Sequence, residues 1–206
     1  MIPYDQDYIC FDGETEGLNL YYSRPWQWSF LVCKGQKVLE KHDYYINQPN
    51  LDLSPKLKKM CGFDQKRYDS EAISELEAAS IFQKYIDDPK FKVIGQNILN
   101  YDIFIWNSMM LRQFGEVNHE YLERCLDTRA FFIARQHELE PRGGVDLLNW
   151  QLRILNDKEY KFTKSNSKLI LKTLGIDFDE GMLHNSLYDV LKTHEIWIQL
   201  KSKFNL

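Results

Sequence analysis

Apolar positions fall first in short β-rich runs and later at helical spacing, and this change of period organises the chain. Tyr8-Ile9-Cys10-Phe11 is a strand-like run that stops at Asp12, so Asp12 is expected at a strand's carboxyl edge. Gly13 and Gly17 bracket a turn after it. Residues 26–32 and 37–46 read as two more strands joined by Lys34-Gly35-Gln36, which predicts a three-stranded antiparallel meander. Residues 47–69, rich in Asn, Pro and Lys, read as a loop with room for one short helix.

Helical spacing begins at Ser70. Ser70 and Glu71 precede Ile73, Leu76, Ala79, Ile81, Phe82 and Tyr85, and Asp88-Pro89 ends the pattern. Residues 91–94 form a short buried strand closed by Gly95, and residues 101–114 a helix stopped by Gly115. Further helices are expected over 127–136, 146–155, 168–174 and 185–203, with polar or Gly-rich stretches at 141–144 and 156–166. A mixed sheet flanked by helices is the natural packing of this order. No repeat, low-complexity tract or linker divides the chain, so residues 1–206 are expected to form one domain.

Composition narrows the picture. The chain is 44% hydrophobic and 14% aromatic, enough for a sizeable core. A net charge of -4 argues against a basic nucleic-acid coat, so any such contact should be local and short. Cys10, Cys33, Cys61 and Cys125 show no CxxC pair and no metal-ligand spacing, and read as free thiols in a reducing compartment. The amino terminus lacks the basic-then-apolar order of a signal peptide. No apolar run reaches the ~18 residues of a membrane span. A cytoplasmic or otherwise intracellular protein with no membrane partner is expected.

The candidate chemistry lies in four acids. Asp12 and Glu14 are two apart, which on a strand places both on one face, where they could bridge two cations. Asp102 falls in the first turn of the helix after Gly95, and Asp189 in the second turn of the last helix, five positions after His184. Each has an ordinary explanation alone: a solvated strand edge, an acid at a helix amino terminus, a capping histidine. Together they are costly, because like charges repel and buried carboxylates are poorly solvated. Divalent hard cations are the usual compensation. Imidazole suits general-base work on a water, so carboxylates, divalent metal and one histidine point to phosphodiester hydrolysis. His42, His119, His137 and His194 lack this pairing and read as surface or packing residues, and Asp177 and Asp179 as solvated.

The order and spacing of these residues resemble the DEDDh 3′–5′ exonucleases, the group that includes the proofreading subunit of bacterial replicative polymerases. Phe11-Asp12-Gly13-Glu14-Thr15-Glu16-Gly17-Leu18 is similar to that family's first motif. The segment from Gly95-Gln96-Asn97 to Asp102 is similar to the second, and His184-x4-Asp189 to the third. Weaker similarity covers Pro25-Trp26-Gln27, Asp127-Thr128 and residues 169–176. Glu16, Gln96 and Asn100 depart from the residues common there, at positions closer to substrate than to metal. No Tyr lies four before Asp189, which favours the histidine branch.

The resemblance implies an α/β, RNase H-like fold: a mixed five-stranded sheet, its first three strands antiparallel, with helices on both faces. It implies two Mg²⁺ or Mn²⁺ ions held by Asp12, Glu14, Asp102 and Asp189, with His184 as general base. Thr15, Leu18 and Asn97 would contact the substrate, Leu18 as a wedge between the last two bases. The implied partner is nucleic acid with a free 3′ end, single-stranded DNA first and RNA as the alternative. A polymerase that holds the chain as its proofreading subunit and a catalytically silent nucleic-acid-binding module are the other readings.

Overall fold

Nine residues of one strand carry the two sides of the molecule. The computed structural model describes residues 6–20, 22–141, 144–160, 162–202 and 204. Its first strand, β1 (Asp7–Thr15), alternates strictly: Ile9 and Phe11 pack into one core, Tyr8 and Cys10 into another. The neighbouring β2 (Pro25–Lys34) repeats the pattern, with Trp28, Phe30 and Val32 on the first side and Leu31 and Cys33 on the second. A two-residue turn at Gly35-Gln36 leads into β3 (Lys37–Tyr45). The meander expected from the sequence is therefore present, with both strand pairs antiparallel.

β1 runs further than its sequence pattern suggested. It continues to Thr15, so Asp12 lies inside the strand, and Gly13 pairs with Trp28 instead of opening a turn. Trp28 requires the glycine there: a Cβ on Gly13 would lie 2.6 Å from its ring.

Two short parallel strands complete the sheet, β4 (Lys92–Gly95) beside β1 and β5 (Cys125–Asp127) beside β4, giving the order β3-β2-β1-β4-β5. β5 has three residues and no sequence pattern announced it. Eight helices surround the sheet in the described residues: α1 (Pro55–Met60), α2 (Gln65–Glu71), α3 (Glu75–Ile86), α4 (Asp102–Phe114), α5 (Thr128–Gln136), α6 (Leu147–Asn156), α7 (Ser167–Leu174) and α8 (Ser186–Lys201). The expected loop at 47–69 holds α1 and most of α2. Ser70 and Glu71 belong to α2, and the helix predicted from Ser70 instead starts at Glu75, where Ser74 caps it through the Glu77 N–H. The last helix matches its expected span, except that Lys203 is outside the described residues and Asp189 sits in the first turn, not the second.

Helices cover both faces. Phe82 of α3 and Trp106 of α4 meet Phe11 and Phe30 on one side, with ring centroids 5.0 to 5.1 Å from Phe82. Val190, Ile196, Trp197 and Leu200 of α8 pack with Cys10, Leu31 and Ile94 on the other. Burying such side chains is worth about 1.5–3 kcal/mol each, and this sandwiching holds β1 rigidly between two layers. The four cysteines are free and buried. Among the described residues no helix is long and apolar enough to cross a membrane.

Candidate active site

The parallel half of the sheet ends at one edge, and the carboxylates gather there. Open α/β sheets bind ligands outside the carboxyl ends of their strands. Here β4 ends at Gly95, opposite the last residue of β5, Asp127. A Cβ on Gly95 would fall 1.9 Å from Ile98 Cγ2 and 3.1 Å from the Phe11 carbonyl, so only glycine lets the chain turn tightly beside β1. That turn continues as a one-turn 3-10 helix, Ile98–Asn100, and delivers Asp102 as the first residue of α4. Asp127 fixes the turn. Fully buried, it accepts the N–H groups of Asn97 (3.0 Å) and Leu99 (3.1 Å) while capping α5 through Arg129 and Ala130.

Asp12 and Glu14 share the face of β1 that packs against α8. The start of α8 is pinned to the same strand, because the Ser186 hydroxyl donates to the Asp12 carbonyl at 2.8 Å. One turn on, Asp189 completes a cluster with Asp12 and Glu14, a carboxylate oxygen of each lying within 4.8 Å of the others. Residues 175 positions apart in the chain thus meet through one helix-on-strand contact. Asp102, only 4% exposed, accepts the Gly13 N–H at 3.2 Å and lines the same cavity of about 800 Å³.

Crowding shows in the acids' protonation. Burial pushes the Asp12 carboxyl up to about 6. Burial, then Asp12, Asp189 and Asp102, push Glu14 up to about 9. Burial and Asp12 push Asp189 up to about 8, and the same two causes raise Asp102 well above the usual carboxylate range. Asp189 Oδ1 is buried with no hydrogen-bond partner. An all-oxygen, multiply acidic donor set with an unmatched buried oxygen fits a hard divalent cation. Such an ion would relieve both the repulsion and the orphaned atom.

Histidine 184 is exposed and lines this cavity. Its backbone is left-handed, with φ 70°, as is that of Asn97, φ 64°. Non-glycine residues adopt this conformation rarely, and such residues cluster at working sites. Leu18, 89% exposed, stands at the mouth. Thr15 differs: its side chain is buried outside the cavity lining and bonds Gly17 O at 2.7 Å and the Tyr101 hydroxyl at 2.5 Å. Of the residues singled out in the sequence, seven line the cavity, and Thr15 holds the turn that carries Leu18.

Sequence reasoning missed Tyr101, Arg129 and the wall at 163–168, which also line the cavity. A lone Tyr or Arg carries no periodic or motif signal. The one available hint was the cap residue Asp127, two before Arg129.

The sheet order and the two helical layers define an α/β RNase H-like fold with a half-buried acidic cluster at its strand ends. Solved structures of exonuclease I share it. E. coli exonuclease I in complex with a dA16 oligonucleotide superposes with a TM-score of 0.73 at 16% identity, over 96% of this chain and 41% of that one. The zinc-ion-bound form of the E. coli exonuclease I–ssDNA complex gives 0.72 at 16% identity, over 96% and 41%. The product-bound structure of exonuclease I gives 0.71 at 17% identity, over 96% and 44%. The chain therefore spans about two fifths of the length of these exonuclease I chains. Its sequence matches no family model and no curated protein.

Proposed function

We propose that this chain is a metal-dependent 3′–5′ exonuclease that releases 5′-mononucleotides from single-stranded DNA. The observation that carries the reading is the meeting of Asp12, Glu14 and Asp189 within 4.8 Å at the carboxyl edge of the sheet, with His184 lining the same cavity. The fold shared with exonuclease I supports it, and exonuclease I structures with dA16 and dT13 oligonucleotides support single-stranded DNA as the substrate.

In this reading Asp12, Glu14, Asp102 and Asp189 hold two Mg²⁺ or Mn²⁺ ions. Such ions supply Lewis-acid stabilisation of charge on a phosphodiester and its leaving oxygen. The chain's own residues do the rest. His184, on an exposed left-handed turn, takes the proton of the attacking water. Its main-chain N–H holds Asp189 in place. The turn fixed by Thr15 and Tyr101 presents Leu18 to the last two bases of the strand, and Asn97 contacts the strand beside Asp102.

Closed circular and linear single-stranded DNA of the same sequence test this directly. Loss of the linear form alone, with mononucleotide product, is expected. Cleavage of the circle would replace the exonuclease reading with an endonuclease.

A further inference from the structure

We propose that Arg129 forms a phosphate subsite that grips the strand upstream of the scissile linkage. The assignment rests on the nuclease reading above and extends it. Arg129 stands at the second position of α5, just past the end of β5. Its Nη1 donates to Asn97 Oδ1 at 2.7 Å and its Nε to Ser165 Oγ at 2.9 Å. Both acceptors are neutral, and among the described residues no carboxylate pairs with this guanidinium and Nη2 has no acceptor. The other closely held arginines differ: Arg67 and Arg112 pair with acids, and Arg124 is spent on three main-chain carbonyls.

A planar guanidinium fixed by two neutral groups, with its outer edge free in a cavity, is preorganised to donate to the oxygens of an anion such as phosphate. The tethers are themselves anchored. Asn97 is held by Asp127, and Ser165, 6% exposed, also offers its carbonyl to Gln96 at 3.3 Å. The sheet order sets the spacing: β5 lies two strands from β1, about 10 Å at ~4.8 Å per strand. Arg129 therefore enters the cavity from the β5 side, across β4 from the acids of β1. A strand with its terminal nucleotide at Leu18 and its scissile phosphate at the acids would bring an upstream phosphate to Arg129. In a chain of net charge -4, cations that line the cavity, Arg129 with Lys164 and Lys168, carry the local attraction for a phosphate strand.

The test is binding of fluorescein-labelled oligothymidylate by the full chain, with Ca²⁺ present, across a potassium chloride series. Each phosphate contact on a single strand contributes about 0.7 to the slope of log affinity against log salt. Arg129→Gln is expected to lower that slope by about this amount and weaken binding about tenfold at low salt. A purely structural Arg129 would weaken binding or melting without moving the slope, and an unchanged slope overturns the proposal. Arg129→Met, which keeps the apolar stem, serves if the Gln variant does not fold. On the wild type, a neutral methylphosphonate placed at one linkage at a time should weaken binding at a single upstream linkage; no sensitive upstream linkage contradicts the subsite. Wild-type protein that binds no oligothymidylate would refute the nucleic-acid reading itself, a different failure from normal binding with an unaltered slope.

Discussion

The main-chain N–H of His184 donates to Asp189 Oδ2 at 3.0 Å, while Oδ1 of the same carboxylate is buried and unpaired. The bond depends on the left-handed backbone at His184, which turns its N–H back over the first turn of α8. One contact therefore ties the main chain that carries the imidazole to the acid. His184→Ala is expected to lower the hydrolysis rate by about 10²–10⁴-fold and to change the shape of the pH–rate profile. An unaltered profile would remove His184 as the base.

The raised carboxyls make stability depend on pH in the metal-free protein. Asp12, Glu14 and Asp189 titrate in the fold at about 6, 9 and 8, above their ordinary 3.8, 4.5 and 3.8. Between those limits the folded chain retains protons that the unfolded chain has released, so stability falls as pH rises. Thermal melts in EDTA should show a melting temperature that declines from about pH 4.5 to pH 9. Added Mg²⁺ or Mn²⁺ should flatten the decline. A melting temperature that rises across this window would contradict the crowding.

Neutralising one acid should separate activity from stability. Asp12→Asn and Asp189→Asn are each expected to reduce hydrolysis by at least about 10²–10³-fold. Each should also raise the melting temperature in EDTA near pH 8, by about 2–4 °C for a gain of about 1 kcal/mol in a chain of this size. Unfolding of the variants would show that these acids hold the structure and do not strain it.

Tyr101 reaches the carbonyl of Gly17 at 2.7 Å and the Thr15 hydroxyl at 2.5 Å. Tyr101→Phe removes both contacts from the turn bearing Leu18, each worth about 0.5–1.5 kcal/mol. The KM for oligonucleotide should rise several-fold, and the melting temperature should fall by about 2–4 °C for each kcal/mol lost. An unchanged KM would show that the turn plays no part in holding the 3′ end.

Much of this was legible in the sequence. Short β-rich runs at residues 8–11, 26–32 and 37–46 made the meander legible, and helical spacing stopped by Gly115 did the same for the end of α4. The acids were legible because strand period two puts Asp12 and Glu14 on one face. What escaped was decided by tertiary contact. β5 is three residues long, too short for periodicity, and exists because β4 offers an edge to it. The extension of β1 through Gly13 depends on pairing with β2 and on Trp28 above it, against glycine's usual preference for turns. α1 and α2 are held by the small cluster of Trp26, Tyr45, Leu53 and Cys61, whose partners lie far apart in the chain. Arg129 was invisible for the same reason: its role follows from Asn97 and Ser165, more than 30 residues away on either side.

The most direct measurement is a time course on 5′-labelled single-stranded DNA and matched RNA with Mg²⁺ or Mn²⁺, beside Asp12→Ala and an EDTA control. A ladder shortening from the 3′ end, faster on DNA and absent with Asp12→Ala or EDTA, is predicted. Turnover that survives either the substitution or the chelator, or no cleavage of either strand, would contradict the assignment of the acidic cluster as a metal-dependent exonuclease site.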